Sequence, residues 1–151
     1  RVFGVARRQR RVDVSAKFGP DAVINSSTQD VGKAVAELTC GNGADIVIDN
    51  VGTRETFLQA LAAVHRGGRI VMVGETDDTL PLSTFKLCVS ELDVMGSRSG
   101  GREDTVEAIQ LVESGVVTPF ASDIFPLELI NDALDAIREG KVMGRAVVTL
   151  D

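Results

Sequence analysis

Gly43-Ala44-Asp45-Ile46-Val47-Ile48-Asp49-Asn50-Val51-Gly52, followed by Gly67-Gly68-Arg69-Ile70-Val71-Met72-Val73-Gly74, is the stretch that decides the fold of this chain. Ala44 to Ile48 and Arg69 to Val73 are short apolar runs bounded by glycine, which predicts two strands buried on both faces. Between them Thr53 is placed to cap a helix whose apolar face is Phe57, Leu58, Leu61 and Val64, and Gly67-Gly68 turns the chain into the next strand. Strand, helix and strand in this order make a right-handed crossover between parallel strands.

The same alternation extends in both directions. Towards the N-terminus, Val2 to Ala6 reads as a strand, Arg7 to Lys17 as a polar helix closed by Phe18-Gly19-Pro20, and Ala22 to Ile24 as a second strand. Ser27 and Thr28 are good caps for a helix carrying Val31, Ala34, Val35 and Leu38, which Gly41 and Gly43 stop. Towards the C-terminus, Asp77 to Pro81 is turn-rich, and Leu92 to Met95 is a strand ending in Gly96-Ser97-Arg98-Ser99-Gly100-Gly101. A helix with Val106, Ile109 and Val112 inward follows, with Gly115 past its end. Ile130, Ala133, Leu134 and Ile137 define the last helix, stopped by Gly140, and Ala146 to Leu150 is a closing strand. The pattern predicts an α/β fold: one domain over residues 1–151, built on a doubly wound, mostly parallel sheet.

Composition narrows the function classes. With 44% hydrophobic and 25% charged residues in 151, the chain can bury a sizeable core. Its apolar runs fall far short of the roughly 20 residues of a membrane span, and no apolar secretory stretch opens it, so a cytoplasmic protein is expected. Cys40 and Cys88 are far apart, and His65 is the single histidine, which encodes neither a disulfide framework nor a metal cluster. Cys40 is expected to close a helix, Cys88 to sit in a helix or strand core, and His65 in an exposed turn.

The net charge of −6 is unevenly spread: residues 1–11 hold Arg1, Arg7, Arg8, Arg10 and Arg11 and no acid, leaving 11 basic against 22 acidic residues elsewhere. An acidic body with one basic corner suits a local anion site and not a nucleic-acid surface. In doubly wound sheets ligands bind outside the carboxyl ends of the strands, here Ala6-Arg7, Asn50-Val51-Gly52, Val73-Gly74-Glu75 and Gly96 to Gly101. Glycine at three of these ends serves either tight turns or close backbone approach to a ligand.

The runs Phe18-Gly19-Pro20-Asp21-Ala22-Val23-Ile24-Asn25, Gly43 to Gly52 and Gly67 to Gly74 resemble the coenzyme-binding domain of the medium-chain, zinc-type alcohol dehydrogenase family. Phe125-Pro126-Leu127-Glu128-Leu129-Ile130-Asn131-Asp132-Ala133 and Gly140-Lys141-Val142-Met143-Gly144-Arg145-Ala146-Val147 resemble that family's closing helix and strand. The resemblance implies a Rossmann-type domain that begins here at its second strand, without the first strand, the G-x-G-x-x-G loop or the catalytic zinc domain. Losing a central first strand would leave Val2 to Ala6 and Ala44 to Ile48 without a shared neighbour, unless the two pair differently.

The resemblance also assigns roles. NAD-preferring members carry an acid at the end of the second strand; here that position is Ala6, followed by Arg7 and Arg8, whose guanidinium groups suit a 2′-phosphate. NADP(H) is therefore favoured over NAD(H), against the plainer reading of Arg7, Arg8, Arg10 and Arg11 as a solvated helix face. Val51 and Gly52 match positions beside the adenine. Val73 and Gly74, with Ser97 and Ser99 on the next strand end, match those meeting the nicotinamide, and Arg145 resembles the family's pyrophosphate arginine. No catalytic or metal-binding residue is implied in this chain, and zinc would come only through the missing domain.

The function implied is the coenzyme-binding part of an oxidoreductase moving hydride between NADP(H) and an alcohol, aldehyde or ketone, inactive by itself. The alternatives are a zinc-free quinone or enoyl reductase of the same superfamily, and a truncated non-catalytic nucleotide-binding or interaction module. The expected partners are the dinucleotide, a small alcohol or carbonyl substrate in the intact protein, and a second copy, with no nucleic acid and no membrane. The homodimer is expected to bury a crossing strand at Leu80-Pro81-Leu82-Ser83-Thr84-Phe85 together with Leu92 to Met95.

Overall fold

The computed structural model describes residues 1–150, in two compact units, one from Arg1 to Ser99 and one from Gly100 onward. The first unit runs β1 (Phe3–Ala6), α1 (Gln9–Ala16), β2 (Ala22–Asn25), α2 (Val31–Leu38), β3 (Ala44–Asp49), α3 (Arg54–Ala63), β4 (Val64–Met72), α4 (Thr84–Val89) and β5 (Asp93–Gly96). The second holds α5 (Arg102–Glu113), β6 (Ala121–Pro126), α6 (Ile130–Arg138) and β7 (Arg145–Thr149). Every strand pair is parallel, so the expected α/β architecture forms.

Within the first unit the strands make two sheets, β1-β2 and β3-β4-β5. The break falls between β1 and β3, which do not pair with each other, where the resemblance puts the family's first strand. The hydrophobic core nevertheless runs across the break. Ile24 of β2 packs with Val31 and Val35 of α2 and Ala63 of α3, and Ala44 and Val47 of β3 border them. Val47 also borders a second cluster of Phe57, Ala60 and Ile70. Helices α2 and α3 meet at Gly32, where a β-carbon would lie 2.8 Å from that of Ala62.

Several elements differ from expectation. Ser27 and Thr28 do not cap α2; Asp30 does, its side chain accepting from the Lys33 amide at 3.0 Å, because Val31, three to four positions nearer the apolar stripe, opens the helix. Strand β3 is buried on one face only: Val47 faces α3, whereas Ile46 and Ile48 on the opposite face are 58% and 61% exposed. On α3, Ala60 and Ala63 share the buried face with Phe57, and Leu58 is exposed because it lies one residue, about 100° of helical rotation, from Phe57.

Val64 opens β4, and Gly67-Gly68 lie inside that strand. While β3 steps from Ala44 to Ile46, its partner advances from Val64 to Arg69, a bulge that Gly67 accommodates at φ +79°. His65 is consequently in a strand and half-buried, its Nε2 3.1 Å from Asp45 Oδ1.

Within the chain Leu80 to Ser83 forms no strand, and Thr84 and Phe85 open α4. Leu80 and Leu82 turn onto the Phe57, Ala60 and Ile70 cluster, and the side chain of Ser83 caps α4. Cys88 lies in that helix but is exposed, not in a core, and Cys40 is exposed just past α2 at φ +54°.

In the second unit β6, mixed in polarity as Ala121-Ser122-Asp123-Ile124-Phe125-Pro126, escapes a periodicity reading but pairs with β7. Val106, Ile109 and Val112 of α5 are exposed and not inward, since β6 and β7 of this unit pack against α6 instead. On α6 only Ala133 is buried.

Candidate functional site

The carboxyl ends of β3, β4 and β5 lie side by side as one ledge, and the turn that ends β3 is organised by the buried carboxylate of Asp49, 6% exposed. Its Oδ1 accepts from the amides of Val51 at 2.8 Å and Gly52 at 3.0 Å, and its Oδ2 accepts from the Thr56 hydroxyl at 2.7 Å. Three donors make a buried carboxylate tolerable and hold the Asp49-to-Gly52 turn against the start of α3. Thr53 and Thr56 cap that start reciprocally, the Thr53 side chain accepting from the Thr56 amide and the Thr56 hydroxyl from the Thr53 amide.

The main chain of Asp49 continues the tie: its carbonyl accepts from the amides of Val73 at 2.8 Å and Gly74 at 2.9 Å. Gly52, at φ +77°, abuts Gly74 so closely that a β-carbon on Gly52 would lie 2.2 Å from the Gly74 carbonyl oxygen. One on Gly74 would lie 2.2 Å from the Val51 carbonyl carbon. The Thr76 hydroxyl donates to the Gly52 carbonyl at 2.6 Å, and the Ser97 amide donates to the Met72 carbonyl at 2.8 Å, bringing the end of β5 alongside. Val51 and Val73 stand exposed on this ledge. Ser99 follows with φ +51°, and beside it Arg98 pairs with Glu75 at 3.4 Å.

At the end of β1, Ala6 is half-buried and Arg7 and Arg8 lie in the turn that leads into α1. Arg7 reaches Glu55, in the first turn of α3, at 3.7 Å, so the arginine turn and the ledge lie within one ion pair of each other. Ala6, Arg7, Arg8, Val51, Gly52, Val73, Gly74, Ser97 and Ser99 thus all occupy carboxyl ends of parallel strands in the first unit. Arg145 belongs to the second unit, at the start of β7, where its amide donates to the Phe120 carbonyl at 2.9 Å.

The sequence reading missed Asp49, Thr56, Thr76 and Glu55. The available signal was an acid three residues before a glycine, with two threonines in the following helical turn. Among the described residues no three His, Cys, Asp or Glu side chains gather in a way that could hold a metal ion.

Residues 1–114 match the protein family described as zinc-binding dehydrogenase. Over 148 residues the chain is 33% identical to D-arabinose 1-dehydrogenase (NADP(+)) of Saccharolobus solfataricus, covering 98% of this chain and 42% of that protein. Over 147 residues it is 31% identical to an NAD-dependent alcohol dehydrogenase of Sulfurisphaera tokodaii, covering 97% of this chain and again 42% of the relative. Among solved structures, the alcohol dehydrogenase of Aeropyrum pernix matches with TM-score 0.88 at 30% identity, over 97% of this chain and 42% of that one. The chain therefore spans about two fifths of the length of the curated relatives it matches.

Proposed function

The chain belongs to the zinc-binding dehydrogenase family, and from that premise we propose that it is the dinucleotide-binding part of an oxidoreductase acting between NADP(H) and an alcohol, aldehyde or ketone. The relatives divide by coenzyme, one named for NADP(+) and others for NAD. The choice is therefore read from this chain's own residues, and Ala6 followed by Arg7 and Arg8 carries it. No carboxylate follows β1 to repel a 2′-phosphate, and two guanidinium groups stand there to receive one.

In this reading Arg7 and Arg8 hold the 2′-phosphate, and Val51 and Gly52 lie against the adenine. Val73, Gly74, Ser97 and Ser99 border the nicotinamide, and Arg145 meets the pyrophosphate. Gly52 and Gly74 let the ends of β3 and β4 pack backbone against backbone, since a β-carbon at either would strike the neighbouring main chain, and this close-packed ledge supports the reading. When bound, the nicotinamide supplies or takes the hydride; the residues of this chain orient the ring and keep water from it. In this reading zinc is not assigned to residues of this chain.

Cytoplasmic location and a homodimer belong to the same proposal. The surface favoured for the dimer is Leu80 to Phe85, where Phe85 is 75% exposed, together with the edge of β5, which among the described residues pairs with β4 alone. Titrating the intact protein with NADPH and NADH tests the coenzyme reading, which predicts tighter NADPH binding that weakens as salt rises. Equal or tighter NADH binding overturns it. Light scattering reads the oligomeric state, and a monomer at micromolar concentration removes the dimer.

A further inference from the structure

The arginine turn after β1 is held from behind by one buried side chain. Asn25, the last residue of β2, is 8% exposed and makes a fully directed set of hydrogen bonds. Its Oδ1 accepts from the Ser27 amide at 3.0 Å and the Ser27 hydroxyl at 2.7 Å, which fixes which end of the amide is oxygen. Its Nδ2 then donates to the Gln9 Oε1 at 2.9 Å. Gln9 passes the constraint on, its Nε2 donating to Asp13 one helical turn later at 2.8 Å.

Arg7 and Arg8 are the only residues between Ala6 and Gln9. Ala6 is the register partner of Asn25 in the parallel β1-β2 pair, and its carbonyl accepts from the Ser26 amide at 3.0 Å. Gln9, the first residue of α1, is gripped by the Asn25 side chain. Both ends of the two-residue turn are thus anchored on Asn25 and its neighbour. Within the turn Arg7 pairs with Glu55 at 3.7 Å, and Arg8, the N-cap of α1, makes no side-chain capping bond, so the helix start relies on Gln9 and its tie to Asn25.

We propose that Asn25 and Gln9 are positioning residues for coenzyme choice: together they fix the Arg7-Arg8 turn so that its guanidinium groups meet the 2′-phosphate of NADP(H). This rests on the coenzyme reading above. A bidentate guanidinium-phosphate contact depends on orientation as well as charge, and loosening the turn costs the phosphate contact while leaving the rest of the dinucleotide untouched.

The test compares the dissociation constants of NADPH and NADH for the intact protein and for Gln9→Ala, Asn25→Ala and Arg7→Ala/Arg8→Ala. Gln9 is exposed and outside the core, so Gln9→Ala is the deciding variant even if Asn25→Ala unfolds. The expected result for Gln9→Ala is NADPH binding weakened about three- to tenfold with NADH changed less than twofold, a change in ratio that general loss of structure does not produce. An unchanged ratio in Gln9→Ala, with the double arginine variant losing its NADPH preference, overturns this inference and spares the coenzyme reading. An unchanged ratio in the double arginine variant overturns both.

Discussion

Gly52 and Gly74 pack backbone to backbone across the ends of β3 and β4: a β-carbon on Gly52 would strike the Gly74 carbonyl, and one on Gly74 would strike the main chain of Val51. Gly52 also sits at φ +77°, where an L-residue is strained. Alanine at Gly52 is therefore expected to destabilise the first unit by about 1–3 kcal/mol and to weaken dinucleotide binding as the ledge opens. Gly74→Ala should do the same through the clash alone. Thermal unfolding with and without NADPH measures both, and wild-type behaviour of either variant counts against the contact.

Asp49 is the anchor of that ledge. Asp49→Ala leaves the Val51 and Gly52 amides and the Thr56 hydroxyl without their acceptor, a loss of about 1–3 kcal/mol. Asp49→Asn keeps one acceptor oxygen and should cost less, since the Thr56 hydroxyl also reaches the Thr53 carbonyl at 3.1 Å. Urea unfolding of the two variants gives the order, and equal losses would show that the carboxylate charge, not its acceptor geometry, is what matters.

Ala6→Asp places a carboxylate at the end of β1 beside Arg7 and Arg8. It should weaken NADPH by roughly 1–3 kcal/mol and leave NADH unchanged or tighter. Parallel fluorescence titrations decide it; a variant that loses both coenzymes equally would point to damage to the site as a whole.

The β1-β2 pair carries an acid-sensitive closure. Asp21 accepts from the Val2 amide at 2.6 Å, and its own amide donates to the Val2 carbonyl at 2.8 Å. The Val2 bond holds the Asp21 carboxyl below its ordinary range, with the Arg1 guanidinium adding to the effect. A folded-state value below the unfolded one means that the stabilisation is complete above about pH 4 and is lost as pH falls through the folded value. Amide exchange in β1 and β2 should therefore accelerate in that acid range, and Asp21→Asn should flatten the response. Identical acid profiles for both proteins would remove Asp21 as the cause.

Much of this architecture was legible because it rests on local chemistry. Gly19, Gly41, Gly43, Gly115 and Gly140 all take the left-handed backbone that stops a helix or turns a chain, and each lies where the sequence puts a boundary. Thr53 caps α3 as its position requires. The strand ends bearing Ala6, Val51, Gly52, Val73, Gly74 and Ser97 follow from the same punctuation. Strand β6 was not legible, since its alternation is broken by Asp123 and Pro126 and only pairing with β7 makes it a strand.

By itself the sequence determined the alternation of strands and helices outside α4 and β6, the parallel α/β class and the basic turn after β1, because periodicity, glycine and charge act over a few residues. Tertiary structure alone decided which faces are buried and what holds the candidate site. Ile46 and Ile48 read as core but lie on the face of β3 opposite α3, and Leu80 and Leu82 read as an edge but fill space beside Phe57. Asp49 and Asn25 read as ordinary polar residues at strand ends. Their roles depend on donors and acceptors brought within hydrogen-bonding distance by neighbouring turns and helices, at Gly52 and Thr56 for the one and at Gln9 and Ser27 for the other. A buried polar group takes its meaning from its partners, and chain folding chooses them.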